Sequence, residues 1–285
     1  MAAQDDAIVP VHGLQVVSDI HLEFRGKHIN YSELLPRRGT DLAICGDLGR
    51  PFMTVYGDIC HYREFLMYAA STWRHVFVVT GNHCYYGRRK SETDERVQAY
   101  CNERSNLHFL NDTAYIFTEH DRVPFYGVYG STLWTNVTDH AFSYMNDHRI
   151  RPERQYETAY TRKSTRMSAD VVRVWHQAHV TALTDHLSAH ALPGDKKWIV
   201  MSHHPPRSPP VQNLKSHADR ATWSAYFNNL SEKVFDKGKI AVWLCGHLHA
   251  HFDATLDGIR YVSNCMGYAS EKNVGYNDSC IIPYQ

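Results

Sequence analysis

Short apolar segments alternate with longer amphipathic segments along most of the chain. Apolar runs that end abruptly in polar residues are typical of buried strands, and five of them occupy residues 14–21, 41–47, 75–83, 197–206 and 240–249. Further strands are predicted near residues 125–134, 259–262 and 279–282. Apolar residues at helical spacing predict helices at residues 58–73, 92–103, 171–192 and 219–234. This alternation favours an α/β architecture.

The five main strand-like runs share one property, which is that each ends in side chains that commonly bind metals. These residues are Asp19 and His21, Asp47, Asn82 and His83, His203 and His204, and His247 and His249. Because side chains alternate along a strand, Asp19 and His21 are expected to point the same way as the chain leaves the sheet. In open α/β sheets, ligands bind outside the carboxyl ends of the strands. A single Asp-x-His pair also fits a capping aspartate beside a surface histidine, and Asp47 after a glycine also fits a turn. Repetition at five strand ends favours a metal site.

Composition limits the classes of function. The 285 residues are 43% hydrophobic, which is enough for one large core or two small ones. The formal net charge is zero, so no basic surface for nucleic acid stands out, although a local basic groove stays open. We expect no signal peptide and no membrane span, since no apolar run approaches about 18 residues. Seven cysteines without C-x-x-C spacing predict reduced thiols and a cytoplasmic protein.

Histidine is unusually frequent, with 20 copies. Four of them, His176, His179, His186 and His190, lie along the helix predicted at residues 171–192. We interpret these four as a solvated helix face rather than as metal ligands. The metal-site hypothesis therefore depends on the histidines at the strand ends.

The ordered blocks D-x-H, GD, GNH, H and GHxH lie between residues 19 and 249. This set resembles the calcineurin-like metallophosphoesterase superfamily. Residues 129–134 and 263–268 are similar to a bacterial and phage branch of predicted phosphoesterases. The resemblance implies a four-layer αββα sandwich of two mixed β-sheets flanked by helices. It also implies a single domain over residues 1–285, with a helical insertion at about residues 135–190.

The resemblance further implies two metal ions. One would be held by Asp19, His21 and His249, the other by Asn82, His203 and His247, with Asp47 bridging both. His203 is preferred to His204 because the family ligand usually comes first after the strand. His83 matches the family histidine that assists the leaving group or steadies the phosphoryl oxygens. Imidazole and oxygen ligands suit transition metals, and we expect manganese, with iron, zinc or nickel as alternatives.

Two positions depart from the family pattern. The second block is often GDxxD, whose last aspartate orients the catalytic histidine, but here Arg50 stands at that position. The residue that orients His83 is therefore not identified from the sequence. Cys84 follows His83 where the family often has glutamate, and we interpret it as a small buried residue. Neither change removes a metal ligand.

The resulting hypothesis is a metal-dependent phosphohydrolase, in which a metal-bridging hydroxide attacks a phosphodiester or phosphomonoester. A small or nucleotide-like substrate is favoured because the chain has no basic bias. Candidates for binding the substrate phosphate are His204, Arg149 and Arg207, since arginine suits bidentate phosphate recognition. The alternatives are a nuclease and a non-catalytic binding protein on the same fold. The sequence predicts no oligomeric state.

Overall fold

Two β-sheets form the centre of the fold. The computed structural model describes residues 10–55, 59–153, 167–208, 220–230, 234, 238–271 and 274–284. The strands are β1 (Val11–Val17), β2 (Gly39–Cys45), β3 (Val76–Val79), β4 (Leu107–Phe109), β5 (Thr113–Ile116), β6 (Gly127–Ser131), β7 (Trp198–Ser202), β8 (Ile240–Cys245), β9 (His251–Leu256), β10 (Ile259–Asn264) and β11 (Ile281–Pro283). The helices are α1 (Tyr31–Leu34), α2 (His61–Thr72), α3 (Lys90–Cys101), α4 (Asp139–Ser143) and α5 (Ala169–Ala189).

Both sheets are mixed. The first has the order β11-β1-β2-β3-β4, in which β1 to β4 are parallel and β11 pairs antiparallel with β1. The second has the order β5-β6-β7-β8-β10-β9, in which only the two edge strands are antiparallel to their neighbours. The carboxyl ends of the parallel strands therefore meet along one edge of each sheet.

The two sheets pack face to face over a shared apolar core. Because side chains alternate along a strand, Leu14 of β1 and Ala43 of β2 point between the sheets, together with Met201 of β7. Their neighbours Leu42 and Val200 point away from the other sheet. Both faces of each central strand are buried, which explains why the sequences of these strands are continuous apolar runs.

Helices cover the outer faces. The apolar face of α2 packs on the first sheet through Tyr62, Phe65, Leu66 and Ala69, as its sequence pattern predicts. Leu183 and Leu187 of α5 pack on the second sheet. The arrangement is helix, sheet, sheet, helix, so the predicted four-layer sandwich is confirmed. The segment expected to be an insertion contains α4 and α5.

Two predictions about helices were wrong. His179 on α5 does not lie on a solvated face, because it is only 3% exposed. Its Nδ1 accepts the Leu133 N–H at 3.1 Å and lies 2.8 Å from the Ser131 hydroxyl, which ties α5 to the end of β6. Between residues 219 and 234 the described part contains only a short 3₁₀ helix, Arg220–Ala225, and residues 226–230 are not helical. Residue 234 is also described and is not helical, whereas residues 219 and 231–233 of that predicted helix lie outside the described residues.

Candidate metal centre

The polar side chains at the strand ends meet in one buried site. Asp19, Asp47 and Asn82 follow β1, β2 and β3 of the first sheet, whereas His203 and His247 follow β7 and β8 of the second. The first four of these residues are each less than 5% exposed. Buried carboxylates and imidazoles are costly unless they are paired or hold a metal. The site thus lies where the ends of both sheets converge.

Left-handed backbone conformations aim the predicted ligands of this site. Asp19, His21, Asp47, His247 and His249 all have φ between 47° and 71°. Such conformations cost energy in residues other than glycine and cluster at functional sites. Asp19 and His21 therefore converge because each adopts a left-handed conformation beyond the end of β1, and not through the alternation of side chains along that strand.

Glycines give these ligands room. A Cβ atom at position 46 would overlap the ring of His203, and one at position 81 would overlap the carboxylate of Asp47. A side chain at either position would displace a predicted ligand. This explains why glycine precedes the polar residues in the second and third sequence blocks.

The first predicted ligand set is compact. The Nε2 atoms of His21 and His249 lie 3.0 Å apart, and Asp19 Oδ1 lies 3.5 Å from His249 Nε2 and 3.9 Å from His21 Nε2. The ligand atoms of all three residues fall within 4.8 Å of one another. Two imidazoles and a carboxylate facing one point match the donor preference of a divalent transition metal.

The second predicted set lies beside the first. His203 Nε2 is 3.1 Å from Asn82 Oδ1 and 3.3 Å from Asp47 Oδ2. The same Asp47 oxygen is 4.0 Å from His21 Nε2. One carboxylate oxygen therefore faces donors of both sets. His247 joins His203 and His204 in a further group of potential ligands.

The two adjacent histidines after β7 differ in their contacts. His203 donates its Nδ1–H to the Cys45 carbonyl at 3.0 Å, which leaves Nε2 facing Asp47. His204 donates its Nδ1–H to the Thr132 carbonyl at 3.2 Å. Its buried Nε2 has no hydrogen-bond partner in the described chain, and its ring lies 4.4 Å from that of His247. His203 therefore has the closer relation to Asp47, while His204 remains beside the second set.

Three further carboxylates hold the predicted ligands in place. Glu23 accepts from His21 Nδ1 at 3.3 Å, and Glu271 accepts from His249 Nδ1. Asp147 accepts from the Asn82 side-chain amide at 2.8 Å, so that the amide oxygen of Asn82 points to His203. Such partners fix the orientation of metal ligands. Sequence reasoning missed all three as site residues. The only signals were the position of Glu23 two residues after His21 and the polar cluster at residues 146–149.

The electrostatics of the site favour a cation. Burial opposes ionisation of Asp19 and Asp47, but the surrounding histidines hold the pKa of both carboxyls well below their usual range. Although burial acts in the opposite direction, Asp47 and Asp19 raise the pKa of His203 to about 9. The two carboxylates thus favour a positive charge beside them. A divalent cation would supply that charge, and the residues present fit such an ion.

His83 lies at the edge of the ligand sets. Its backbone N–H donates to Asp47 Oδ1 at 2.9 Å, its Nδ1 donates to Glu23 Oε1 at 3.1 Å, and its Nε2 lies 3.2 Å from the Tyr268 hydroxyl. The side chain is 12% exposed. Burial opposes protonation, but Asp47 and Glu23 raise the pKa of His83 above its ordinary value. The ring is therefore accessible and biased towards the protonated form.

The remaining sequence candidates lie in different surroundings. The Arg149 guanidinium lies 5.7 Å from the ring of Tyr86, which itself packs 4.5 Å from the His83 ring. Arg207 instead pairs with Asp257 at 3.0 Å. Cys84 is 1% exposed, and burial raises the pKa of its thiol. The structure thus brings Arg149 close to the site and supports the interpretation of Cys84 as a small buried residue.

Two solved structures share this fold. Phosphopantetheinyl hydrolase from Mycobacterium tuberculosis is 15% identical, with a TM-score of 0.61 and 90% of each chain covered. TT1561 of Thermus thermophilus is 12% identical, with a TM-score of 0.50 over 90% of this chain and 89% of that one.

None of the described helices is both long and apolar enough to cross a membrane.

Sequence comparison identifies the family. An uncharacterized protein of Acanthamoeba polyphaga mimivirus is 26% identical over 287 residues, which cover 91% of this chain and 92% of the viral protein. Residues 15–251 match the calcineurin-like phosphoesterase family, a span that includes every predicted metal ligand. The chain therefore belongs to the calcineurin-like phosphoesterases and is a phosphoric ester hydrolase.

Proposed function

We propose that the chain uses a dinuclear metal centre to hydrolyse a phosphodiester or phosphomonoester of a small or nucleotide-like substrate. The observation that carries this proposal is the position of Asp47 Oδ2, which lies 3.3 Å from His203 and 4.0 Å from His21. A carboxylate shared by two compact donor sets is what a two-metal site requires. Manganese is the first candidate, with iron, zinc or nickel as alternatives.

In this proposal the ligands keep the assignment made from the family resemblance. Asp19, His21 and His249 hold one metal, Asn82, His203 and His247 hold the other, and Asp47 is shared. When bound, such metals supply Lewis-acid activation of water and neutralise charge on the phosphoryl group. The chain contributes a buried site whose ligands are already oriented by Glu23, Glu271 and Asp147.

His83 is the proposed general acid. Its Nδ1–H is donated to Glu23, so Nε2 is the nitrogen available to the leaving-group oxygen. The carboxylates around it favour the protonated form, which is the form that can donate a proton. Arg149, which lies next to the Tyr86 ring, is a candidate to bind the substrate phosphate.

The rings of Phe24 and Tyr268 form an aromatic wall beside His83, which supports a small or nucleotide-like substrate. Phe24 is 51% exposed, although it is a large apolar side chain. Its ring lies 5.4 Å from that of Tyr268, edge to face, and 6.2 Å from the imidazole of His83. Exposed aromatic faces beside a reactive centre suit stacking on a planar leaving group such as a nucleobase.

The test compares hydrolysis of bis-p-nitrophenyl phosphate and p-nitrophenyl phosphate in the presence of Mn, Ni, Zn, Fe or chelator. The proteins are wild type, Asp47→Asn and the matched control Asp185→Asn, whose carboxylate is exposed on α5. We expect metal-dependent release that Asp47→Asn abolishes and Asp185→Asn retains. Full activity of Asp47→Asn, or activity that persists in chelator, would contradict the proposal.

Two further measurements address the alternatives. Metal analysis of wild type should give close to two ions per chain, and a chain that binds none would point to a non-catalytic binding protein. A nuclease should bind nucleic acid with affinity that falls steeply with salt. We expect no such binding, because the formal net charge is zero.

A further inference from the structure

Within the described chain, no carboxylate from the loop after β2 accepts a hydrogen bond from the ring of His83, and Asp47 instead accepts from its backbone N–H at 2.9 Å. Residue 50 is arginine, and its guanidinium lies 5.7 Å from the ring of Tyr86. The Nε of Arg50 is buried without a hydrogen-bond partner in the described chain. The residue that orients His83 must therefore come from another part of the fold.

A carboxylate from the loop after β1 accepts a hydrogen bond from the ring of His83. Glu23 Oε1 lies 3.1 Å from His83 Nδ1 and 3.3 Å from His21 Nδ1. The Glu23 side chain is 2% exposed, so water does not compete for this oxygen. One buried oxygen thus accepts from both a predicted metal ligand and the proposed acid.

The surrounding backbone holds Glu23 firmly. His21 and Leu22 donate their backbone N–H groups to the carbonyls of Asp47 and Leu48, at 2.9 and 3.0 Å. A Cβ atom at position 49 would approach Glu23 Oε2 to 3.3 Å. The loops after β1 and β2 are therefore joined at this point, with the Glu23 carboxylate packed against Gly49.

The contact decides which ring nitrogen faces the site. An imidazole that donates Nδ1–H to a carboxylate presents its Nε2 to the opposite side. For His21, Nε2 faces His249, and for His83, Nε2 faces Tyr268. The same carboxylate therefore sets the orientation of both rings.

We propose that Glu23 is the positioning residue of His83 and that it couples the proposed acid to the metal ligand His21. This inference rests on the proposed function, in which His83 protonates the leaving group. Glu23 does not touch substrate in this scheme. It acts by holding the His83 ring with Nε2 towards the leaving-group oxygen and by keeping a proton on Nδ1.

The kinetic test compares Glu23→Gln, His83→Ala, the double variant and the exposed control Glu33→Gln. The substrates are the phenyl and p-nitrophenyl esters of phosphate. Departure of phenolate, the poorer leaving group, depends more on protonation by a general acid than departure of p-nitrophenolate does. We expect Glu23→Gln to lower kcat for the phenyl ester about tenfold to a hundredfold, with a smaller loss for the p-nitrophenyl ester and an unchanged KM. Glu23→Asp should recover part of the loss, and Glu33→Gln should match wild type.

The double variant separates positioning from an independent role. If Glu23 acts through His83, adding Glu23→Gln to His83→Ala should cause little further loss. Fully additive losses, or an equal loss for both esters, would overturn the proposal. Metal content of Glu23→Gln should stay at the wild-type value, and loss of metal would show instead that Glu23 serves only His21.

A spectroscopic measurement keeps this inference separate from the proposed function. In zinc-loaded protein with ¹⁵N-labelled histidine, we expect a downfield Nδ1–H signal from His83 that disappears in Glu23→Gln. An unchanged signal would overturn the positioning role. If the signal changes as expected while wild type hydrolyses no ester, the positioning contact stands and the proposed acid catalysis fails.

Discussion

The buried histidine on α5 should make the stability of the fold fall in mild acid. Burial, assisted by the charges of Lys90 and His176, lowers the pKa of His179 to about 3 from an ordinary value of 6.5. The folded state therefore keeps this imidazole neutral down to about pH 3, whereas the unfolded chain protonates it below pH 6.5. Between these values the unfolded state binds more protons, so stability is lost as pH falls.

The size of this effect follows from the shift. About pH 5 is about 1.5 units below the ordinary pKa of histidine in the unfolded chain, and each pH unit below that pKa corresponds to about 1.4 kcal/mol. We therefore expect protonation of His179 in the unfolded chain to lower the free energy of unfolding by about 2 kcal/mol between about pH 7 and pH 5. Asparagine at this position keeps an acceptor for the Leu133 N–H but does not titrate.

Urea unfolding followed by circular dichroism, in chelator at both pH values, measures this difference. The loss of stability from pH 7 to pH 5 should be smaller in His179→Asn than in wild type by about 2 kcal/mol. His120→Asn, at an exposed position, is the matched control and should keep the wild-type pH dependence. Equal pH dependence in His179→Asn and wild type would refute the reasoning, since the folded state would then carry the same charge on His179 as the unfolded state.

Three further predictions concern the site. Asp147→Ala should weaken binding of one of the two proposed metals about tenfold to a hundredfold, because the Asn82 amide loses its hydrogen-bond acceptor. Titration calorimetry with zinc measures both affinities, and equal weakening of the two would contradict this prediction. Phe24→Ala should raise KM for an aryl phosphate by a factor of about two to ten with unchanged kcat and melting temperature, since the ring is exposed; an unchanged KM would remove the aromatic wall from substrate binding. Metal removal should lower the melting temperature of wild type, because a ligand that binds the folded state stabilises it. It should not change the melting temperature of Gly81→Ala, whose added Cβ overlaps Asp47. Differential scanning calorimetry with and without chelator measures both effects.

The sequence predicts the strand ends well, because the information there is local. Apolar runs mark the strands, and the predicted ligands follow each run within a few positions. In contrast, Glu23, Asp147 and Glu271 contact residues from other loops, up to 65 positions away in the chain for Asp147. No pattern along the chain encodes such contacts, so the partners of His83, Asn82 and His249 emerge only from the fold.

Two errors have a similar physical origin. The alternation of side chains along β1 was the wrong reason for the convergence of Asp19 and His21, because both residues adopt left-handed conformations beyond the strand. Helical spacing likewise identified α5 but not the burial of His179. The buried ring accepts from the Leu133 N–H, a donor that follows β6 and lies 46 residues earlier in the chain.

The predicted ligands come from two different sheets, which has a consequence for how this enzyme adapts. Asp19 and Asp47 move with the first sheet, and His203 and His247 move with the second. The spacing between them is therefore a property of how the interior is filled, by residues such as Ala43 and Met201. Exchanging a small interior residue for a larger one, far from any phosphate, would widen or shift the gap between the ligands. Reactivity and metal preference in such a scaffold are thus open to tuning from the hydrocarbon interior, without any change in the residues that carry out the chemistry.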